Sequence, residues 1–183
     1  MNPPQPSPKR RGSRSGEVVR EQFADAQIAD FLRRSCFAVD GLWFVKTEER
    51  HGFDEAMDVD EAIWDVMSKI QARKAKELLG ISGDSLEDLG RAFQLKLAAE
   101  GYEFDVEFSN GEVMLKVRTC PWYEALKSNG RTQLAETIAD RICAREFGGW
   151  IKEFSPDIEF QILGRLCVES DCREECRMVF RRR

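Results

Sequence analysis

The spacing of apolar residues predicts that the first half of the folded chain is helical. Up to Gly101, apolar residues recur every three or four positions, which is the period of one helix face. Gly52, Gly80 and Gly101 interrupt this pattern, and glycine often ends a helix because it tolerates left-handed backbone angles. Ser85 precedes the third apolar run, and its hydroxyl can cap a helix. We therefore expect three helices that end near these glycines.

Beyond Gly101 the period changes from about 3.6 residues to two. Apolar residues alternate with polar ones on both sides of Asn110-Gly111, a dipeptide that favours a tight hairpin turn. A two-residue turn fixes which residues face each other, and we expect all of these side chains to be buried against helices. The predicted pairs are Phe104 with Val117, Val106 with Leu115, and Phe108 with Val113.

A second set of helices and strands follows this hairpin. Pro121 predicts the start of a short helix, because proline suits the first helical turn. A longer apolar period from Thr132 to Phe154 predicts another helix, and alternation at 158–162 and 178–180 predicts two strands. The predicted fold class is α+β, with N-terminal helices, an antiparallel hairpin, helices and a second antiparallel hairpin packed as two layers.

Composition divides the chain into a tail and one domain. Residues 1–16 are rich in proline, arginine and serine and contain no acid, so we expect this basic segment to be disordered. Residues 17–183 are long enough for a single α+β domain. The net charge is −5 although both ends are basic, so the body of the domain is acidic. An acidic body repels a nucleic-acid duplex, which argues against nucleic acid as a partner.

The sequence also predicts a cytoplasmic protein. No apolar run approaches the length of a membrane span, and the amino terminus has no apolar signal-peptide core. These features predict no membrane partner, and they leave a homodimer open. In a reducing compartment, clustered cysteines indicate metal or redox chemistry before disulfides.

Five of the six cysteines lie from residue 120 onward, and three fall within ten residues among acids and arginines. Polar flanks and close spacing favour metal ligation, whereas Cys36, inside an apolar helix, is predicted to pack in the core. For Cys143 packing and ligation remain open. The ion would be zinc or the iron of a [4Fe-4S] cluster. The predicted ligands are Cys120, Cys143, Cys172 and Cys176, with Cys167 as the substitute for Cys172.

Aromatic residues form the second candidate site. Seven of them fall on predicted helices and are suited either to line an apolar pocket for a small molecule or to fill the core. The single histidine, His51, stands at a predicted helix end, where capping is the expected role. The candidate pocket residues are Trp43, Phe44, Trp64, Phe93, Trp122, Phe147 and Trp150.

Several segments together resemble the aminothiazoline-carboxylate hydrolase-like family and its uncharacterised prokaryotic relatives. The region from Gly164 to Phe180 also resembles the end of the 4-vinyl-reductase ligand-binding domain. The segments that carry the first resemblance are Phe31-Leu32-Arg33-Arg34-Ser35, Val39-Asp40-Gly41-Leu42-Trp43-Phe44, Thr119-Cys120-Pro121-Trp122, Cys143 seven residues before Trp150, Phe154-Ser155-Pro156, and Cys176-Arg177-Met178-Val179-Phe180.

This resemblance implies an α+β fold, an enclosed small-molecule pocket and a cysteine-bound metal. Cys120, Cys143 and Cys176 match the recurrent cysteines, whereas Cys172 stands where relatives have a Gly-Asp-type turn. The first functional hypothesis is a small-molecule-binding domain with a cysteine-ligated metal. The alternative is a hydrolase of a small cyclic C–N or C–S substrate, with a metal-bound water or with Cys120 as the nucleophile. A third is an iron–sulfur redox protein.

Overall fold

The structure is a computed structural model that describes residues 22–109, 111–168 and 174–183. The segment 1–16, predicted to be disordered, and the candidate ligand Cys172 lie outside the described residues. Of the helices in these ranges, none combines the length and the apolar character that a membrane crossing requires.

The N-terminal helices end at the glycines that the sequence indicates. Gly52, Gly80 and Gly101 have φ angles of 92°, 63° and 81°, in the left-handed range that favours glycine. Ser85 caps the third helix, since its hydroxyl accepts a hydrogen bond of 3.0 Å from the backbone N–H of Asp88. The three helices are α1 (Asp25–His51), α2 (Phe53–Leu79) and α3 (Leu86–Glu100).

Four antiparallel strands form one sheet in the order β1-β2-β4-β3. The predicted hairpin register is confirmed, because Phe104 pairs with Val117, Val106 with Leu115, and Phe108 with Val113. The last strand lies between β2 and β3 and pairs with both. The strands are β1 (Glu103–Ser109), β2 (Glu112–Thr119), β3 (Ile158–Gly164) and β4 (Cys176–Arg182).

The remaining helices are α4 (Pro121–Ser128) and, after a 3-10 turn, α5 (Ala135–Lys152). Helices α3 and α5 cover one face of the sheet, α2 packs on α5 and α3, and α1 packs mainly on α2. The main core lies between sheet and helices, where the Phe93 ring centroid is 5.2 Å from that of Trp150 and 5.0 Å from that of Phe180. The α+β class and the order of helices and hairpins are confirmed.

The predicted burial of the β1 side chains is only partly correct. Phe104 and Val106 are half-buried, and Phe108 is 42% exposed. The reason is that β1 is the edge strand of the sheet, so its side chains have a neighbouring strand on one side only. The Phe108 ring nevertheless packs over α3, where a Cβ added at Gly90 would lie 2.5 Å from it.

The prediction that Cys36 packs in the core is wrong. Cys36 is exposed, and no residue of α1 is buried. This follows from the position of α1 outside α2, where it does not reach the main core. The apolar residues of α1 that remain exposed are Phe31, Leu32, Val39, Leu42 and Trp43.

Helices α2 and α5 approach each other closely at one point. A Cβ added at Gly149 would lie 2.0 Å from Oγ of Ser68, so only glycine fits this crossing. The polar side of the same interface carries ion pairs, with Arg141 bonded to Glu61 and Arg145 3.0 Å from Asp65. This contact fixes α5, which presents Cys143 and Glu146 to the site described below.

Candidate metal and ligand site

The strand register brings the candidate cysteines to one end of the sheet. Val117 of β2 pairs with Cys176, the first residue of β4, and Cys120 follows β2 after Thr119. Cys167 lies three residues beyond the end of β3, and Cys143 projects from α5. Cys120, Cys143 and Cys176 pack against the main core.

Burial and mutual proximity keep these thiols protonated. Burial raises the pKa of Cys143 well above its usual value, and negative charge on Glu146, Cys120, Cys167 or Cys176 would raise it further. Burial also raises the pKa of Cys176 to about 12, although the backbone N–H of Leu166 donates to its Sγ at 3.3 Å and acts in the opposite direction. The four thiols therefore share one environment in which none ionises alone at neutral pH.

Cys120 occupies a distinctive position at the start of α4. It is the residue before Pro121 and the N-cap of α4, where its side chain makes no capping hydrogen bond, but the backbone N–H groups of Trp122 and Tyr123 and the hydroxyl of Tyr102 lie close enough to lower the pKa of its thiol. These donors favour a thiolate, but burial outweighs them, so the pKa of Cys120 is raised. An additional positive charge at this site is needed to ionise it.

A buried lysine and two carboxylates lie in the same region. Lys96 Nζ is 2.6 Å from Oε2 of Glu100 on its own helix and 2.6 Å from Oε1 of Glu146 on α5. The Lys96 side chain is 2% exposed, and Gln71 donates a 3.0 Å hydrogen bond to Glu100. Burial alone lowers the pKa of Lys96, but the carboxylates of Glu146 and Glu100 raise it overall. Burial also raises the pKa of Glu146, against the opposing effect of Lys96.

Tyr102 joins the carboxylates to the thiols. Its ring lies 5.8 Å from Lys96 Nζ, and its hydroxyl is close enough to Cys120 to lower the pKa of that thiol. Burial raises the pKa of Tyr102 well above its usual value, and the nearby Cys120 and Glu146 add to this effect. The hydroxyl is therefore a permanent donor at neutral pH. We call Lys96, Glu100, Tyr102, Cys120, Cys143, Glu146, Cys167 and Cys176 the thiol–carboxylate cluster.

Two further carboxylates lie next to this cluster. Burial raises the pKa of Asp60 to about 7, Asp40 and Glu146 raise it as well, and a hydrogen bond from Trp64 lowers it. Burial also raises the pKa of Asp40 on α1. Trp64 packs edge to face on Trp122, with ring centroids 6.2 Å apart. Asp40 and Asp60 therefore lie beside the aromatic rings of Trp64 and Trp122, where α1, α2, α4 and α5 meet.

The structure brings part of the predicted metal set together. Cys120, Cys143 and Cys176 share one environment with Cys167, the predicted substitute, while Cys172 lies outside the described residues. Within the described ranges, no group of three or more histidine, cysteine, aspartate or glutamate side chains is arranged to hold a metal ion. The four thiols lie in one region and are soft sulfur donors of the kind that zinc and iron–sulfur centres require, but in this arrangement no three of them form a ligand set. The metal site stays a prediction.

The seven candidate pocket residues lie in three different places. Trp43 is 68% exposed on α1. Three others belong to the main core, where they pack against one another, and three belong to a second apolar cluster with Met57. The core residues are Phe93, Phe147 and Trp150, and those of the second cluster are Phe44, Trp64 and Trp122.

The sequence interpretation did not include the charged residues of the site. Lys96 follows Phe93 by three positions and Glu146 follows Ile142 by four, so both occupy inward positions of apolar helix faces. Opposite charges at inward positions of two separate helices are the signal that indicates a buried ion pair. Asp40 and Asp60 give no such signal, because their burial depends on how α1 crosses α2.

Fold and site together define an α+β domain with thiols and carboxylates buried beside the end of an antiparallel sheet. The chain belongs to a family of unknown function (DUF6125), whose profile matches residues 17–177. No match to the chain is found among curated proteins or among solved structures.

Proposed function

We propose that this protein is a small-molecule-binding domain with a metal centre held by cysteines. The observation that carries the proposal is the convergence of Cys120, Cys143, Cys167 and Cys176 beside Glu146. Cys172, a few residues from Cys176, is the fifth candidate ligand. The resemblance of the cysteine segments to aminothiazoline-carboxylate hydrolase-like proteins points the same way.

The charge of the cluster supports a cationic occupant. Glu100 and Glu146 share one buried cation, Lys96, and the thiols ionise only if positive charge is supplied. A metal ion supplies that charge and binds the thiolates, with release of their protons. Zinc would act as a structural ion or Lewis acid, whereas a [4Fe-4S] cluster would give a redox centre.

Anaerobic purification with elemental analysis and absorption spectroscopy tests the metal centre. We expect close to one zinc ion per chain, or about four irons with broad absorption near 400 nm. Cys143→Ser should lose most of the metal, while Cys36→Ser should keep it because Cys36 is exposed on α1. Metal-free protein that takes up neither zinc nor iron on anaerobic reconstitution would reject the metal part of the proposal.

The aromatic group next to Asp40 and Asp60 is the proposed ligand-binding region. The ring centroids of Phe37 and Trp122 are 4.1 Å apart, so flat apolar surface lies beside half-buried carboxylates. Such a surface suits a small planar molecule that carries a positive charge or hydrogen-bond donors. We place the protein in the cytoplasm, where free thiols persist.

The geometry of Cys120 favours one second candidate, a hydrolase that opens a small C–N or C–S ring. Cys120 is the N-cap of α4, where the first backbone N–H groups of the helix and the Tyr102 hydroxyl lower the pKa of its thiol, as they would for a nucleophile. Because the thiol pKa is raised, this activity requires a bound metal or cationic substrate. Release of product from 2-aminothiazoline-4-carboxylate, with Cys120→Ser as the variant and Cys36→Ser as the control, tests it.

A further inference from the structure

The ring of Phe37 covers the Trp122 indole in the proposed ligand-binding region. Phe37 is on α1 and Trp122 is in the first turn of α4, and their ring centroids are 4.1 Å apart with the rings tilted by 32°. Aromatic pairs usually lie about 4.5–7 Å apart, so this contact is close. A planar ligand between the two rings would need them to be about 7 Å apart, since each ring contact takes ~3.5 Å. The ligand therefore cannot stack on this side of Trp122 while Phe37 is there.

Trp122 is the fixed member of this pair. Its indole meets that of Trp64 edge to face, and Trp64 is buried in the second apolar cluster with Met57 and Ile142. Phe37, in contrast, is only half-buried, both of its sequence neighbours are exposed, and α1 contributes no buried residue. The Phe37 ring is therefore the one that moves at the lower cost in free energy.

Carboxylates beside this pair favour a cation in the place of the Phe37 ring. Asp40 follows Phe37 by three positions and so lies on the same side of α1. Burial is the main cause of the raised pKa of Asp60, and the neighbouring charges that add to it, Asp40 first, are all acidic. A phenyl ring brings no charge to this group of acids, whereas a cationic ring would stack on Trp122 and offset their charge.

We propose that Phe37 is a gate of the ligand site, with a ring that occupies the ligand's place on Trp122 and moves into solvent when a planar cation binds there. The gate rests on the ligand-binding region proposed above and adds a residue to it. While the gate is closed the ligand competes with Phe37, so its affinity is reduced in proportion to the population of the open state. A cationic ring is favoured over an uncharged one, which gains no more on Trp122 than Phe37 does.

Isothermal titration of the full chain with 1-methylquinolinium at about pH 8, above the pKa of Asp60, tests the gate. A minor open state is typically populated at about 10% or less, so Phe37→Ala should lower the Kd at least about tenfold. Phe37→Leu removes the flat ring but keeps an apolar side chain, and it should lower the Kd less. Phe31→Ala, at an exposed position of the same helix, is the matched control and should leave the Kd unchanged.

Fluorine NMR separates a gate from a cavity that Phe37→Ala creates by removing the ring. With 4-fluorophenylalanine in place of Phe37, the free protein should show a fluorine resonance shifted by the Trp122 indole. Saturation with 1-methylquinolinium should bring this resonance, and its shift between light and heavy water, to the values of the free amino acid. A ring that stays on Trp122 in the complex would contradict the gate.

Asp60→Asn distinguishes a failure of the gate from a failure of the ligand site. It should raise the Kd for 1-methylquinolinium about tenfold, both alone and combined with Phe37→Ala, because a charged partner is lost. If Asp60→Asn weakens binding but the fluorine at position 37 keeps its shifted resonance, the ligand site stands and the gate is wrong. If neither the original protein nor Phe37→Ala binds 1-methylquinolinium, the ligand site and the gate are both rejected.

Discussion

Asp60 shows at the residue scale how burial couples stability to pH. Its pKa is about 7 in the fold, against 3.8 for an ordinary aspartate, with burial as the main cause. Between these two pKa values, the folded state keeps a proton on Asp60 that the unfolded chain has already lost. Stability contributed by this site is complete below about pH 4 and is lost as the pH rises through 7.

Asp60→Asn should remove this pH dependence. The amide keeps an oxygen that accepts from Trp64 but carries no charge at any pH. We expect the variant to gain about 2 kcal/mol over the original protein between pH 4 and pH 8, less than the full shift implies because the side chain is partly solvated. Urea unfolding across this range measures the gain. Asp54→Asn, which changes an exposed carboxylate of the same helix, is the matched control and should not reproduce this gain.

Gly149 offers a second test, because α2 leaves no room for a side chain. Gly149→Ala should cost about 2–3 kcal/mol, since the new methyl group overlaps Ser68. Gly148→Ala, one residue away with open space around it, should be neutral or stabilising by up to ~1 kcal/mol. Adding Ser68→Gly should restore most of the loss from Gly149→Ala. If both alanine variants lose equal stability, the close crossing of α2 and α5 is wrong.

At the scale of elements, local signals decide where helices and turns begin and end. Ser85→Ala removes the hydroxyl that accepts from Asp88 and should destabilise the protein by about 1 kcal/mol. Ser82→Ala, in the exposed loop before α3, should have no measurable effect. Thermal unfolding at neutral pH compares the two, and an equal loss from both would mean that the cap does not stabilise α3.

The sequence predicts these elements because each depends on a few neighbouring residues. The two-residue connection between β1 and β2 fixes their register, and the glycines fix the helix ends. The exposure of Phe108 and Cys36 is not predictable in this way, because it depends on which strand is at the edge and which helix is outermost. The same distinction applies to the site. The cysteines can be identified from their spacing in the sequence, whereas the environment of Asp60 depends on how α1 packs across α2.

At the scale of the whole molecule, burial predicts a gradient of local stability. Most of the buried residues among those described belong to the sheet and to α2, α3 and α5, and α1 contributes none. Hydrogen exchange should therefore be slowest in β2, β4 and α5 and fastest, among the helices, in α1. Uniform protection of α1 and α5 in dilute protein would contradict this gradient.

The place of β4 has a consequence for how the protein is made. Because β4 lies between β2 and β3, the ribosome completes three strands before it makes the one that joins them. Until then the nascent chain holds two strands with unpaired edges, which are the surfaces that other chains add to. A premature stop codon just before Cys176 would thus remove the centre of the sheet, and the shortened product should aggregate.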